Sequence, residues 1–188
     1  MRLMAIHLLI IFAIHSLAGG QAPTPAPAQS AYAGQEHRDI KALAVEDTKG
    51  YENGDGMGFA KAAELNHYPG PKHVLDAAVE LGLTTGQKEQ TQKIYQEMHE
   101  KAVRAGRRIV EEEGRLDDLF ASGRIDPRQL DSLTAAIALS QGRLRAIHLG
   151  AHLAEREVLT PSQIQRYDEL RGYQGAGPRH RHDHMHHQ

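Results

Sequence analysis

The 188-residue chain has no cysteine and no tryptophan, and aromatic residues make up only 5% of it. Without cysteine there are no disulfides and no thiolate metal sites. Stability must come from packing, from metal held by other ligands, or from association. So few rings cannot form a stacking platform for single-stranded nucleic acid. Charge of one sign is also lacking: the net charge is −2, which gives no basic footprint for a nucleic-acid partner. The apolar run Leu3 to Ile14 is too short to span a bilayer comfortably. With Arg2 before it and Ser16-Leu17-Ala18 behind it, it reads as a secretory signal cleaved after Ala18, leaving no stable membrane span. An uncleaved anchor is the alternative.

Histidine is what the chain has in excess, with 13 in all. His7 and His15 leave with the signal, and His180, His182, His184, His186 and His187 crowd the C-terminus. Four regions follow: a signal peptide at 1–18, a disordered Pro/Ala-rich tether at 19–35, a helical domain at 36–173, and a flexible His-rich tail at 174–188.

Within the domain, residues 37–66 are poorly periodic and broken by the glycines of Gly54-Asp55-Gly56-Met57-Gly58, with a short helix expected over 59–65. Pro71 and Gly82 frame a further helix. A long helix is expected from Thr85 to about Ala121, with Ile94, Met98, Ala102, Ala105, Ile109, Leu116 and Phe120 in one apolar stripe. Gly106 and Gly114 weaken this helix and permit a bend. A second long helix, from Pro127 to about Val158, carries a matching stripe centred near Leu144, and a short one runs from Pro161 to about Arg171. Nothing reads as a strand, so the fold class is all-α: an antiparallel hairpin of two long helices with short flanking helices. A two-helix layer cannot enclose a core, and a homodimer is the natural way to cover the exposed side.

One motif occurs twice. Leu83-Thr84-Thr85-Gly86-Gln87 opens the first long helix and Leu159-Thr160-Pro161-Ser162-Gln163 the last. Each is a capping box, in which the Thr hydroxyl accepts from the backbone N–H three residues on and the Gln side chain reaches back to the Thr N–H. Asp126-Pro127-Arg128-Gln129 follows the same logic. Two Leu-Thr-x-x-Gln boxes around a helical hairpin in an exported chain resemble the LTxxQ family of bacterial periplasmic proteins, which includes the Spy/CpxP chaperones and related heavy-metal sensors. The resemblance covers roughly residues 36–173. It implies a bent, cradle-like hairpin dimer with no enzymatic activity. It also implies binding of unfolded polypeptides, of divalent transition metals, or of both, with a sensor reporting to an inner-membrane partner as the alternative.

Two metal sites are candidates. His148 and His152 lie four apart on the second long helix, with Glu155 on the same flank, and antiparallel pairing brings His99 level with His148. The competing reading has both histidines bordering the apolar stripe, with Glu155 paired to Lys93 or an arginine. The tail histidines 180, 182, 184, 186 and 187 can wrap Zn²⁺, Ni²⁺, Co²⁺ or Cu²⁺ in several alternative sets, or form only a pH-responsive tail. His148-Leu149-Gly150-Ala151-His152 lacks the Glu that a zinc protease places after its first His, so that chemistry is not expected. Lys101, Arg104, Arg107 and Arg108 form a charged strip that is either a client-holding face or a solvated helix surface.

Overall fold

The computed structural model describes residues 29–173. The expected signal peptide, most of the tether and the His-rich tail therefore lie outside the described residues. The chain divides between Ala33 and Gly34, and every helix belongs to the second unit. Among the described residues all regular structure is helical: α1 Val45–Asn53, α2 Lys61–Glu64, α3 Pro71–Asp76, α4 Thr85–Ala121, α5 Pro127–Val158 and α6 Pro161–Arg171, after a 3-10 turn at Gln35–His37. None of these helices is long and apolar enough to cross a membrane.

The three strongest helix starts use side-chain caps. Thr84 Oγ1 accepts from Gln87 N at 3.2 Å, Asp126 Oδ1 from Gln129 N at 2.8 Å, and Thr160 Oγ1 from Gln163 N at 3.3 Å. In each box the Gln Oε1 accepts from the backbone N–H of the cap residue, at 3.1, 3.1 and 2.9 Å respectively. Such a cap contributes about 1 kcal/mol.

The two glutamines of the repeated motif also bond each other. Gln87 Nε2 donates to Gln163 Oε1 at 2.8 Å and Gln163 Nε2 to Gln87 Oε1 at 3.1 Å. Each Nε2 also reaches a carbonyl that helical bonding leaves over: Gln87 that of Val158 at 2.9 Å, Gln163 that of Leu81 at 3.3 Å.

Helices α4 and α5 form the hairpin, in the antiparallel register expected from the loop between them: Thr91 on α4 meets Glu155 on α5. On one side, α1 closes a core of Leu43, Tyr51, Ala102, Ile109 and Leu144. Toward the other end, Val74, Leu81, Leu159 and Tyr167 form a second core shared by α3 and α6. Fully burying a side chain such as Ile109 or Leu144 stabilises by roughly 1.5–3 kcal/mol. Among the described residues nothing fills the groove of about 410 Å³ that runs beside Ile94, Met98, Ile147 and Ala151 on the other side of the hairpin.

Some expectations change. Helix α1 falls in the stretch read as poorly periodic. Its cap residue, Ala44, has no side-chain oxygen, and Asp47 Oδ2 accepts from the Ala44 N–H instead. The helix framed by Pro71 and Gly82 ends at Asp76, after which Ala78 and Gly82 donate three residues back, in turn fashion. Phe120 leaves the stripe near the hairpin loop and is 56% exposed.

Gly106 lies in a continuous α4, and its role is packing: α1 crosses α4 so closely that a Cβ there would fall on the Tyr51 carbonyl, with the Tyr51 carbonyl carbon at 2.6 Å. A Cβ on Gly142 in α5 would meet nothing within 4 Å. Alanine at either site gains up to ~1 kcal/mol of helix propensity. At Gly106 overpacking costs about 1–3 kcal/mol and moves α1. We therefore expect Gly142→Ala to raise the urea midpoint and Gly106→Ala to lower it. Equal behaviour of the two variants would show that α1 does not depend on that contact.

Candidate metal centre

The buried face of α5 carries Leu144, His148, Ala151, His152 and Glu155. Sequence spacing places the two histidines at the border of the stripe, but both are inside, with 3% and 8% of their surface exposed. Their cover comes from the segments before α4, the turn at Gly54–Gly56 and the start of α3, which line one cavity with them.

Burial lowers the His148 pKa, and the neighbouring His152 pushes it the same way; a hydrogen bond to the Asp55 backbone and the Asp55 charge oppose this, and His99 adds a smaller lowering effect. The ring is thus favoured neutral. Its Nε2 is buried without a hydrogen-bond partner. Phe59 lies 6.3 Å away, within 7° of parallel.

His152 Nδ1 is 2.8 Å from the Tyr68 carbonyl oxygen; a carbonyl only accepts, so Nδ1 donates. Arg156 stacks on the Tyr68 ring at 4.2 Å and steadies that loop. Gly70 is required beside the ring, since a Cβ would come within 3.0 Å of His152 Nε2.

Glu64 stands behind His152. Its Oε2 is 3.6 Å from His152 Nδ1, while its Oε1 accepts from Tyr167 Oη at 2.6 Å, Tyr173 Oη at 3.0 Å and Arg171 Nε at 3.3 Å. One carboxylate thus joins α2, α5 and α6. Nothing in the sequence marks it, because its partners lie about a hundred residues away.

The cavity measures about 130 Å³ and is lined by His73, His99, His148 and His152, together with Asp55 and Met98. His99 is therefore beside His148, as the antiparallel register requires, and it stacks on Tyr95 at 5.7 Å. His73 and Asp55 were missed. His73 belongs to the first turn of α3 and Asp55 to a glycine-rich turn, and no spacing pattern links either to α5.

Glu155 does not line this cavity. Its Oε1 accepts from the Thr91 hydroxyl at 2.8 Å, rather than pairing with Lys93 or an arginine, and its Oε2 is buried without a partner. Burial pushes its pKa up to about 7, against which the Thr91 bond works. The charged strip lies on the solvated face of α4: Lys101, Arg104 and Arg108 sit 3.6, 3.9 and 2.8 Å from Glu97, Glu100 and Glu112, one turn away in each case. Arg107 is exposed on the same helix. The histidines of residues 180–187 lie outside the described residues.

The model of the heavy-metal resistance family matches residues 58–166, from just before α2 into α6. The chain belongs to the heavy-metal resistance family. No match was found among curated proteins, and none among solved structures. All four cavity histidines fall within the matched span; Asp55 falls before it.

The residues fit a metal in part. Neutral imidazoles whose Nδ1–H is fixed by a backbone carbonyl are the usual form of a histidine ligand, and the Met98 thioether is a soft neighbour. Yet among the described residues no three His, Asp or Glu side chains converge closely enough to hold an ion.

Glu155 supplies a pH test. An acid with a raised folded-state pKa favours the folded state while it is protonated, so stability falls as pH rises from about 4.5 to about 7, where Glu155 ionises in the fold. His148, lowered below 6.5, has the opposite sign: its contribution is lost as pH falls through that value. Comparing native protein with Glu155→Gln isolates the first effect. We expect the melting temperature of the native chain, relative to the variant, to drop between pH 5 and 8. Parallel profiles would contradict the buried ionisation.

Proposed function

We propose that this member of the heavy-metal resistance family binds a divalent transition ion, zinc, nickel, cobalt or copper, through His148 and His152, and acts by binding rather than by catalysis. One observation carries the reading: two buried imidazoles on one helix face beside a shared cavity, His152 with Nδ1 donating to the Tyr68 carbonyl and His148 with its Nε2 unpartnered. The ion would take those two imidazoles as ligands. His99, His73 and Met98 are the next side chains within the same walls. The signal-like residues 1–18 support a periplasmic location.

Of the two finer roles, sensing fits better than holding unfolded clients. The cavity is shared by the hairpin and the segment from Gly54 to His73, so a bound ion would fasten that segment to α4 and α5, a change that an inner-membrane partner can read. Three of the four cations of the charged strip, Lys101, Arg104 and Arg108, already face carboxylates one turn away on their own helix, which leaves a client less free charge to meet. The open groove between α4 and α5 is where a second copy of the chain would dock to give a homodimer.

Zn²⁺ bound at the helical site, which only the folded chain possesses, raises the melting temperature by mass action, worth about 2.7 kcal/mol at a hundredfold excess over Kd. Zn²⁺ bound by the tail alone is held equally by the unfolded chain and shifts nothing. The full-length protein is therefore expected to melt higher with Zn²⁺, and His148→Ala with His152→Ala to lose that rise. A double variant that keeps the full rise would contradict this function.

A further inference from the structure

We propose that Met57 is an oxidation site: conversion of its thioether to a sulfoxide by a peroxide unlatches the turn that holds Phe59 on His148. The turn runs from Gly56 to Phe59 and is closed by Phe59 N donating to Gly56 O at 2.7 Å, with φ of 42° at Met57 and 79° at Gly58. Positive φ at both central residues marks the mirror-image turn that glycine, asparagine and aspartate favour. Nothing local favours methionine at the first of those positions.

The reason for it lies in α1. A Cβ on Gly50 would stand 2.8 Å from Met57 Sδ and 3.2 and 3.3 Å from its Cγ and Cε. The end of the Met57 side chain thus occupies the notch that this buried glycine leaves in the helix. Gly50 O also accepts from Asp55 N at 2.9 Å, which brings the chain back over the notch. Docking of the side chain offsets an unfavourable backbone, and such a backbone persists only while its surroundings impose it. What the turn carries is Phe59, whose ring lies 6.3 Å from that of His148 and within 7° of parallel. Two residues before Met57, the Asp55 backbone bonds the same imidazole.

Met57 is also the methionine that an oxidant can reach. Of the two among the described residues, Met98 is 8% exposed and Met57 39%. With hydrogen peroxide as the oxidant, the sulfur lone pair attacks one peroxide oxygen, and the O–O bond breaks as the S–O bond forms. The leaving hydroxide takes the proton from the transferred oxygen and departs as water. Sulfur loses two electrons and the peroxide gains them. The product replaces a flexible apolar chain end with a polar, chiral one. Water solvates that dipole better than a helix backbone does, so the contact that imposes the turn is lost.

The test treats the full-length chain with hydrogen peroxide, in the absence of any metal, under conditions that fully convert free methionine. Peptide masses and amide hydrogen exchange are followed, and neither depends on the function proposed above. Met57 is expected to gain oxygen before Met98 does, and the Phe59 N–H that closes the turn to exchange about tenfold faster or more. Met57→Leu keeps an apolar contact without the sulfur and is expected to hold native exchange with and without peroxide. Met57→Gln, polar and of similar length, is expected to show the fast exchange with no oxidant. A Met57 that stays reduced would overturn the proposal, as would a sulfoxide there that leaves Phe59 exchange unchanged. So would native exchange in Met57→Gln, or a peroxide response that survives in Met57→Leu.

Discussion

Gln87 and Gln163 use all of the hydrogen-bonding capacity of their side-chain amides at one point. Each oxygen closes the capping box of its own helix, each nitrogen donates to the other's oxygen, and each nitrogen also takes a carbonyl left over where a neighbouring element ends. Four pieces of chain meet there: the starts of α4 and α6, the end of α5, and the turn after α3. A capping box alone is satisfied by Glu as well as Gln. The reciprocal pair is not, because a carboxylate has no N–H to give and would leave Val158 or Leu81 without a partner.

What the clasp fixes is the direction of α6. Held at its first turn against α4, α6 returns over α3, buries Tyr167 in the second core and brings that hydroxyl to Glu64. Tyr167 Oη also accepts from Gly70 N at 3.4 Å, so the loop before α3 is held from the same side. Glu64 and the Tyr68 carbonyl then face His152, while the Asp55 backbone faces His148. The orientation of both imidazoles thus depends on short elements drawn onto the hairpin.

The parts legible in sequence were those governed by local rules. Apolar period and capping chemistry give α4, α5 and α6 their bounds, and antiparallel register puts His99 beside His148. What escaped depends on long-range contact. Helix α1 lacks a side-chain cap and carries Gly50 in its interior, so it has almost no periodic signal, yet it packs on α4 and gives Tyr51 to the first core. Gly106 reads as a weak point in a helix because sequence does not reveal the Tyr51 carbonyl lying against it. The histidines read as border residues for the same reason: their cover is supplied by Gly54–Gly56 and the start of α3, segments whose pattern says only turn. The two Leu-Thr-x-x-Gln boxes were visible as caps, but their pairing was not, since one box alone explains every residue in it.

The dependence of the fold on the clasp is measured most directly by a double-mutant cycle on Gln87→Ala and Gln163→Ala, with free energies from urea unfolding. If the amides act as a pair, the second substitution costs less once the first is made, with a coupling energy of about 1 kcal/mol or more. Strictly additive losses would mean that each glutamine serves only its own helix, and that the placement of α6, and with it the order behind His152, has another cause.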